Sequence, residues 1–262
     1  MRYKLSVILP SIRVGNLMYF YTKLKESTSY PLELIVVGPY DPPQELLQNK
    51  EVSYIKDHGC PSRCQQIALT HATGEYVTWG ADDGCFLKDK LTEAIDFLES
   101  NKTSYKDIVT CKYTEGTGNN ISERMYQDAY YKLSPENRVL AKFIPSDYWL
   151  INVGIIDTKY AKELGGWDAQ FEVTAISHMD FAVRAQRNGS NVFMLPKPIF
   201  CCTHLFETTG DHAPIHHSQI GHDEPLFRQV YNSPESVGRI KIDLNNWQRS
   251  PSVWRRRFHN EI

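Results

Sequence analysis

Apolar residues in this chain recur in short runs separated by amphipathic stretches, and the runs define the elements. KLSVILP, residues 4–10, reads as a strand that stops at Pro10, and residues 16–25 follow as a helix. LELIVVG, residues 32–38, is continuously apolar, as strands are when both faces of a parallel sheet are covered. Pro39, Pro42 and Pro43 break the chain before a short helix over residues 44–48. VSYI makes a third strand and GEYVTW a fourth, with a short helix carrying Ile67 and Leu69 between them. In KDKLTEAIDFLESN the apolar Leu91, Ala94, Ile95 and Leu98 lie at helical spacing, and DIVTCKY makes a fifth strand. Alternating strands and helices predict an α/β fold with a mostly parallel central sheet flanked by helices.

Further along, TEGTGNN is a Gly/Asn-rich loop, and residues 122–143 are polar, aromatic and helix-prone. GGWDAQFE, residues 165–172, leads into SHMDFAVRAQRNG, a predicted helix stopped by Asn188 and Gly189. On it Asp180 and Arg184 stand four residues apart and can pair on one face. NVFMLPKPIFCCTHL is strand-like and runs through two prolines to His204. The stretch 206–262 forms a C-terminal extension. Its SVWRRRF segment reads as a solvated terminal helix, although an interfacial membrane helix has a similar pattern.

Composition narrows the class. A chain of 262 residues, 41% hydrophobic, can bury a large core and fits one domain plus an extension. A net charge of −2 sets up no field for a nucleic acid. No apolar run approaches the ~20 residues that cross a bilayer. The N-terminus starts strand-like, with no secretory signal, so a cytoplasmic protein is expected, with peripheral membrane contact left open. The six cysteines fit buried thiols better than zinc ligands, since the CxxxC of Cys60 and Cys64 and the adjacent Cys201 and Cys202 do not make the paired CxxC-type spacing of a structural zinc site. The five histidines between His204 and His222 read mostly as surface loop residues.

The chemistry-bearing stretch is GEYVTWGADDG, residues 74–84, a buried-type strand that ends in Asp82 and Asp83. Ligands of open α/β sheets bind beyond the carboxyl ends of strands. Two carboxylates there serve either a solvated turn or a divalent cation carrying phosphates. A Rossmann dinucleotide site is not indicated, because no GxGxxG opens the first helix.

Helix, acidic strand end and helix together resemble the nucleotide-sugar half of a GT-A glycosyltransferase of the family-2 type. The resemblance runs from about Lys4 to Leu205 and implies a single GT-A domain over residues 1–205. Residues 206–262 would pack on or close the active site. It carries over residue by residue. SVILPS resembles the family's opening strand, so Pro10, Ser11 and Arg13 would contact the donor. Gly38 stands where the second strand usually carries a base-holding carboxylate, which leaves Asp41 as the substitute. Gln65 and Gln66 take the places of an Arg-Asn pair, with Arg63 just upstream, so Arg63 and Gln66 join the donor set. The DXD aspartates fall on Ala81 and Asp83. Asp82 would therefore serve the donor, and Asp83, with His204, would hold Mn²⁺ or Mg²⁺.

GGWD resembles the family's GGFD, so Gly166, Trp167 and Asp168 would meet the acceptor. Tyr126, Tyr130, Tyr131 and Trp149 are either packing residues or sugar-stacking ones. MDFAVRAQRNG matches an EDxDLxxRxxxxG helix, with Ser177 and His178 in place of Glu-Asp. Asp180 is then the first candidate base and His178 the second. Asp211 and His212 are weaker alternatives for the metal. What the resemblance implies is metal-dependent transfer of a sugar, with inversion, from a nucleotide-sugar donor (a UDP-sugar first) to a hydroxyl of a glycan or related acceptor. The alternative is a glycosyltransferase-like carbohydrate-binding or scaffold protein without catalysis. A related nucleotidyltransferase is disfavoured, since no GxGxR-type loop follows Pro10.

Overall fold

The computed structural model describes residues 3–133, 141–202 and 210–260. The first half alternates β1 (Leu5–Pro10), α1 (Leu17–Ser27), β2 (Leu32–Gly38), α2 (Gln44–Leu47), β3 (Val52–Lys56), α3 (Pro61–His71) and β4 (Tyr76–Trp79). These four strands pair in parallel in the order β3-β2-β1-β4. Beyond them come β5 (Gly84–Phe86), α4 (Lys90–Asn101), β6 (Ile108–Glu115), β7 (Gly154–Asp157), α5 (Thr158–Glu163), α6 (Thr174–Arg187) and β8 (Val192–Cys202). The eight-stranded sheet has the order β3-β2-β1-β4-β7-β6-β8-β5. Here it is mixed: β7 runs antiparallel to both β4 and β6, and β5 is antiparallel to β8.

The continuous apolar runs are explained by burial on both sides. In β1, Ile8 faces one core with Ile35 and Val37 of β2, whereas Val7 and Leu9 face the other with Leu34 and Val36. That is the two-residue period of a strand inside a sheet covered twice. The second core takes the apolar face of α4, namely Leu91, Ala94, Ile95 and Leu98. The first takes α6 together with Trp79 and Trp167.

Two expectations are corrected. The aromatic stretch after residue 120 makes short 3-10 turns, Glu123–Tyr126 and Asp128–Tyr131, in place of a helix. Tyr131 is fully buried there: its hydroxyl accepts from the Tyr113 N–H at 2.9 Å and donates toward carbonyl oxygens, which suits packing. In the C-terminal extension, which contains α7 (Ala213–Ser218), α8 (Glu224–Tyr231) and α9 (Arg255–Phe258), the SVWRRRF segment is docked rather than a solvated helix. Phe227 and Tyr231 join the main core, and Trp254 and Phe258 are 5% and 1% exposed against Cys60 and Ile12. No described helix is long and apolar enough to cross a membrane.

β1 and β2 end at the same level, and the Ser11 N–H donates to the Val37 carbonyl at 2.9 Å. A Cβ on Gly38 would overlap the Ser11 carbonyl oxygen, so the missing carboxylate at this position has a steric reason. Gly38→Ala is expected to cost about 1–3 kcal/mol by overpacking, read from the urea midpoint; an unchanged midpoint would refute this close approach.

Candidate functional site

The acidic turn after β4 meets the loop after β1. One Asp82 oxygen accepts from the N–H groups of Ile12 and Arg13 at 2.8 and 2.7 Å and from the Ser11 hydroxyl at 3.1 Å. Its other oxygen takes the Arg13 guanidinium at 2.6 Å. Asn16 adds a bond from its side-chain amide to the Asp82 carbonyl, 2.9 Å. Asp82 therefore organises the Ser11–Arg13 loop rather than standing free to meet a ligand.

Arg13 reaches beyond Asp82, with its guanidinium 3.4 Å from Asp83 and 2.8 Å from Asp211. Burial disfavours its charge, but Asp82, Asp83 and Asp211 outweigh that and raise its pKa. His212 Nε2 lies 3.5 Å from Asp83 Oδ2. Asp211 also pairs with Arg257 of α9 at 2.8 Å. Burial would lift the Asp211 carboxyl, but Arg257 and Arg13 hold it below the usual carboxylate range.

Of these groups Arg13, Asp82, Asp83, His212 and Arg257 line a cavity of about 190 Å³ beyond the ends of β1 and β4. Pro10, Ser11, Arg13, Asp82 and Asp83 form one side, and Trp254 and Phe258 roof it. A larger cavity, about 940 Å³, adjoins it across Trp254, which borders both. Most of its charged groups are spent on each other: Asp168 with Arg239, Glu172 with Arg256 at 2.5 Å, and Asp243 with Arg249 at 3.0 Å. We place the chemistry in the smaller one, where three backbone or hydroxyl donors and a guanidinium converge near two carboxylates.

Several predicted site residues sit elsewhere. Asp41 is 72% exposed, pairs with Lys56 and does not line the cavity. Arg63 forks onto Asp57 at 3.0 and 2.9 Å and also donates to the Trp247 and Ser250 carbonyls, so it clamps the extension to α3. Gln66 is fully buried and bonds Gly165, Trp167 and Leu244. Gly166 has a positive φ, and a Cβ there would overlap the Gln66 amide, so its role is steric. Trp167 is 0% exposed between Trp79 and Phe181, offering no face to a sugar. Asp168 is tied to Arg239 and Gln170 on the larger cavity. His204 lies outside the described residues.

Two arrangements could hold a metal ion. Asp83 and His212 are spaced as two ligands of one divalent ion with bonds of about 2.1 Å. Glu172, His222 and Asp223 also cluster. There, however, Asp223 accepts the N–H groups of Glu172 and Val173 at 2.9 and 2.7 Å, and Arg256 and Ser218 occupy Glu172, which makes a knot before α6.

No protein-family model and no curated protein matches the sequence. Solved structures do. S. aureus TarS 1–349 in complex with UDP superposes with a TM-score of 0.58 at 17% identity, covering 90% of this chain and 68% of that one. TarS 1–349 in complex with UDP-GlcNAc gives 0.55 at 18%, over 90% and 69%. A Pyrobaculum calidifontis mannosyltransferase, PcManGT, in complex with GDP-Man and Mn²⁺ gives 0.55 at 17%, over 88% and 63%. The fold is the GT-A glycosyltransferase fold.

On this GT-A frame the two candidate bases occupy closed positions. Asp180 is 0% exposed, bonded to Arg184 at 2.8 Å, Arg239 at 3.0 Å and the Tyr231 hydroxyl at 2.6 Å. Burial alone would lift its carboxyl, but Arg184 and Arg239 outweigh it and hold it below the usual range. This is a buried ion-pair network with no access to an acceptor, which corrects the first choice of base. Tyr231 and Arg239 carry no sequence signal for it, being 51 and 59 residues away. His178 is buried beside Trp79, with Nδ1 3.1 Å from Asn152 and Nε2 3.0 Å from Gln65.

Burial pushes the His178 imidazole down from 6.5 to about 3. Its folded pKa is lower, so the unfolded chain protonates first as pH falls, and stability is lost from about pH 6.5 downward. That loss is about 1.4 kcal/mol per pH unit from this one group. His178→Gln is expected to flatten the urea-unfolding profile by about that slope between about pH 6 and 5, the carboxylates being common to both proteins. Parallel profiles for the two proteins would show His178 to be solvated instead.

Proposed function

We propose that the protein binds a nucleotide-sugar, its diphosphate lying against Ser11–Arg13 and Asp83, and transfers the sugar to a hydroxyl of a glycan with inversion. The observation that carries this reading is the knot of Asp82 with the Ser11–Arg13 loop. It presents a partly exposed guanidinium beside Asp83 and His212 at the carboxyl ends of β1 and β4. Ligand complexes with UDP, UDP-GlcNAc and GDP-Man in proteins of the same fold support a nucleotide-sugar donor. A UDP-sugar is our first choice.

Asp83 and His212 would hold Mn²⁺ or Mg²⁺, which when bound offsets charge on the diphosphate. Arg13 would hold a phosphate oxygen and favour the leaving diphosphate as its charge develops. His178, the second candidate base, is enclosed as Asp180 is, so it would act only once its Nε2 is freed from Gln65. Its ring is unprotonated at neutral pH, and Asn152 and Gln65 orient it. Such a base supplies typically ~10²–10⁴-fold in rate. The six free thiols agree with a cytoplasmic setting. A second reading, a nucleotide-sugar-binding protein without transfer, is favoured by one observation: both nitrogens of His178 are already engaged inside the core.

Thermal unfolding with UDP, GDP, CDP and dTDP, each with and without Mn²⁺, tests the binding reading. At about 100 times Kd a ligand adds about 2.7 kcal/mol, a rise of about 5–10 °C in Tm. We expect this rise with UDP and Mn²⁺ together and its loss in Asp83→Ala. No rise with any nucleotide would overturn the binding site. Consumption of UDP-sugar then separates the two readings: His178→Ala should bind UDP as before but turn over at least about 100-fold more slowly.

A further inference from the structure

The Arg13 guanidinium stands against both members of the pair, Asp83 and His212, that would hold an ion. One guanidinium nitrogen is 3.4 Å from Asp83 Oδ2 and the other is 3.4 Å from His212 Nε2. The same group holds Asp82 at 2.6 Å and Asp211 at 2.8 Å, so a single cation serves three carboxylates. Asp82 and Asp83 are 5% and 13% exposed at the side chain, so water does little to weaken these attractions. We propose that Arg13 is a resident cation that keeps free metal ions out of this site, so that a divalent ion enters only together with a diphosphate. The inference rests on the donor site proposed above.

Charge balance supports it. Among the groups that pair directly with one another, three carboxylates (Asp82, Asp83, Asp211) against two guanidiniums (Arg13, Arg257) leave one net negative charge. A divalent ion alone would reverse that to one net positive charge and stand against Arg13 at close range. A divalent ion arriving with the two negative charges of a sugar-linked diphosphate restores the original balance. The diphosphate also gives the displaced guanidinium a new partner, since a planar fork of donors matches phosphate oxygens. Arg13 thus acts as a positioning residue that links metal entry to donor entry.

The test is a titration of Mn²⁺ alone, followed by the EPR signal of the free ion, with wild type, Arg13→Gln and Arg13→Met. The glutamine amide can still donate to Asp82, so it guards against collapse of the loop, and far-UV CD checks the fold of both. Removing the guanidinium is expected to tighten binding of Mn²⁺ alone at least tenfold. In wild type, UDP should tighten Mn²⁺ at least tenfold, and in Arg13→Gln it should do so much less. Equal or weaker binding of Mn²⁺ alone by folded Arg13→Gln would overturn the inference, as would wild type binding Mn²⁺ equally well with and without UDP. The Mn²⁺-alone comparison decides the matter even if no nucleotide binds, an outcome that would sink the donor-site reading separately.

Discussion

Everything at the site depends on one carboxylate that touches no ligand. Asp82 takes two successive backbone N–H groups, a hydroxyl and a guanidinium from the loop after β1. Those backbone donors have no strand partner once β1 has ended, and leaving them unpaired in a buried place would be costly. By capturing them, Asp82 fixes how β1 departs and aims Arg13 back over the acidic turn. The price is that Asp82 has little left to offer a metal or a phosphate, which passes to Asp83.

The second constraint is the buried network around Asp180. Arg184, Arg239 and Tyr231 compensate one carboxylate at zero exposure, and Arg184 also donates to the Leu164 and Gly166 carbonyls. Removing one partner of such a network typically costs about 3–5 kcal/mol. Through Tyr231 and Arg239 the extension is sewn to α6, and through Arg63 and Trp247 it is sewn to α3. Its end, Trp254 to Phe258, can then roof the cavity whose floor Asp82 built. An apparent catalytic motif and an apparent tail turn out to be two halves of one structural clasp.

How much was legible follows from where the interactions lie along the chain. The predicted span of β2 equals the observed one, because burial on both faces writes a continuous apolar run bounded by Pro31 and Pro39. β7, by contrast, is only Gly154–Asp157, too short to show a period, and its antiparallel insertion is what makes the sheet mixed. Pro10, Ser11, Arg13, Asp82 and Asp83 were legible as a group because each sits at a strand end. Arg63, Gln66 and Trp167 looked functional and are structural, since residue type and spacing do not reveal depth.

By itself the sequence determined the strand and helix order of the first half up to β4, the two-sided core and the acidic turn at the end of β4. All of these depend on neighbours a few residues apart, where side-chain period and turn chemistry act directly. Tertiary structure alone decided which charges face the cavity and which are sealed. Asp82 meets Arg13 across 69 residues, and Arg13 meets His212 across 199. A carboxylate's role depends on the dielectric around it and on the cation beside it, and only the folded chain sets those.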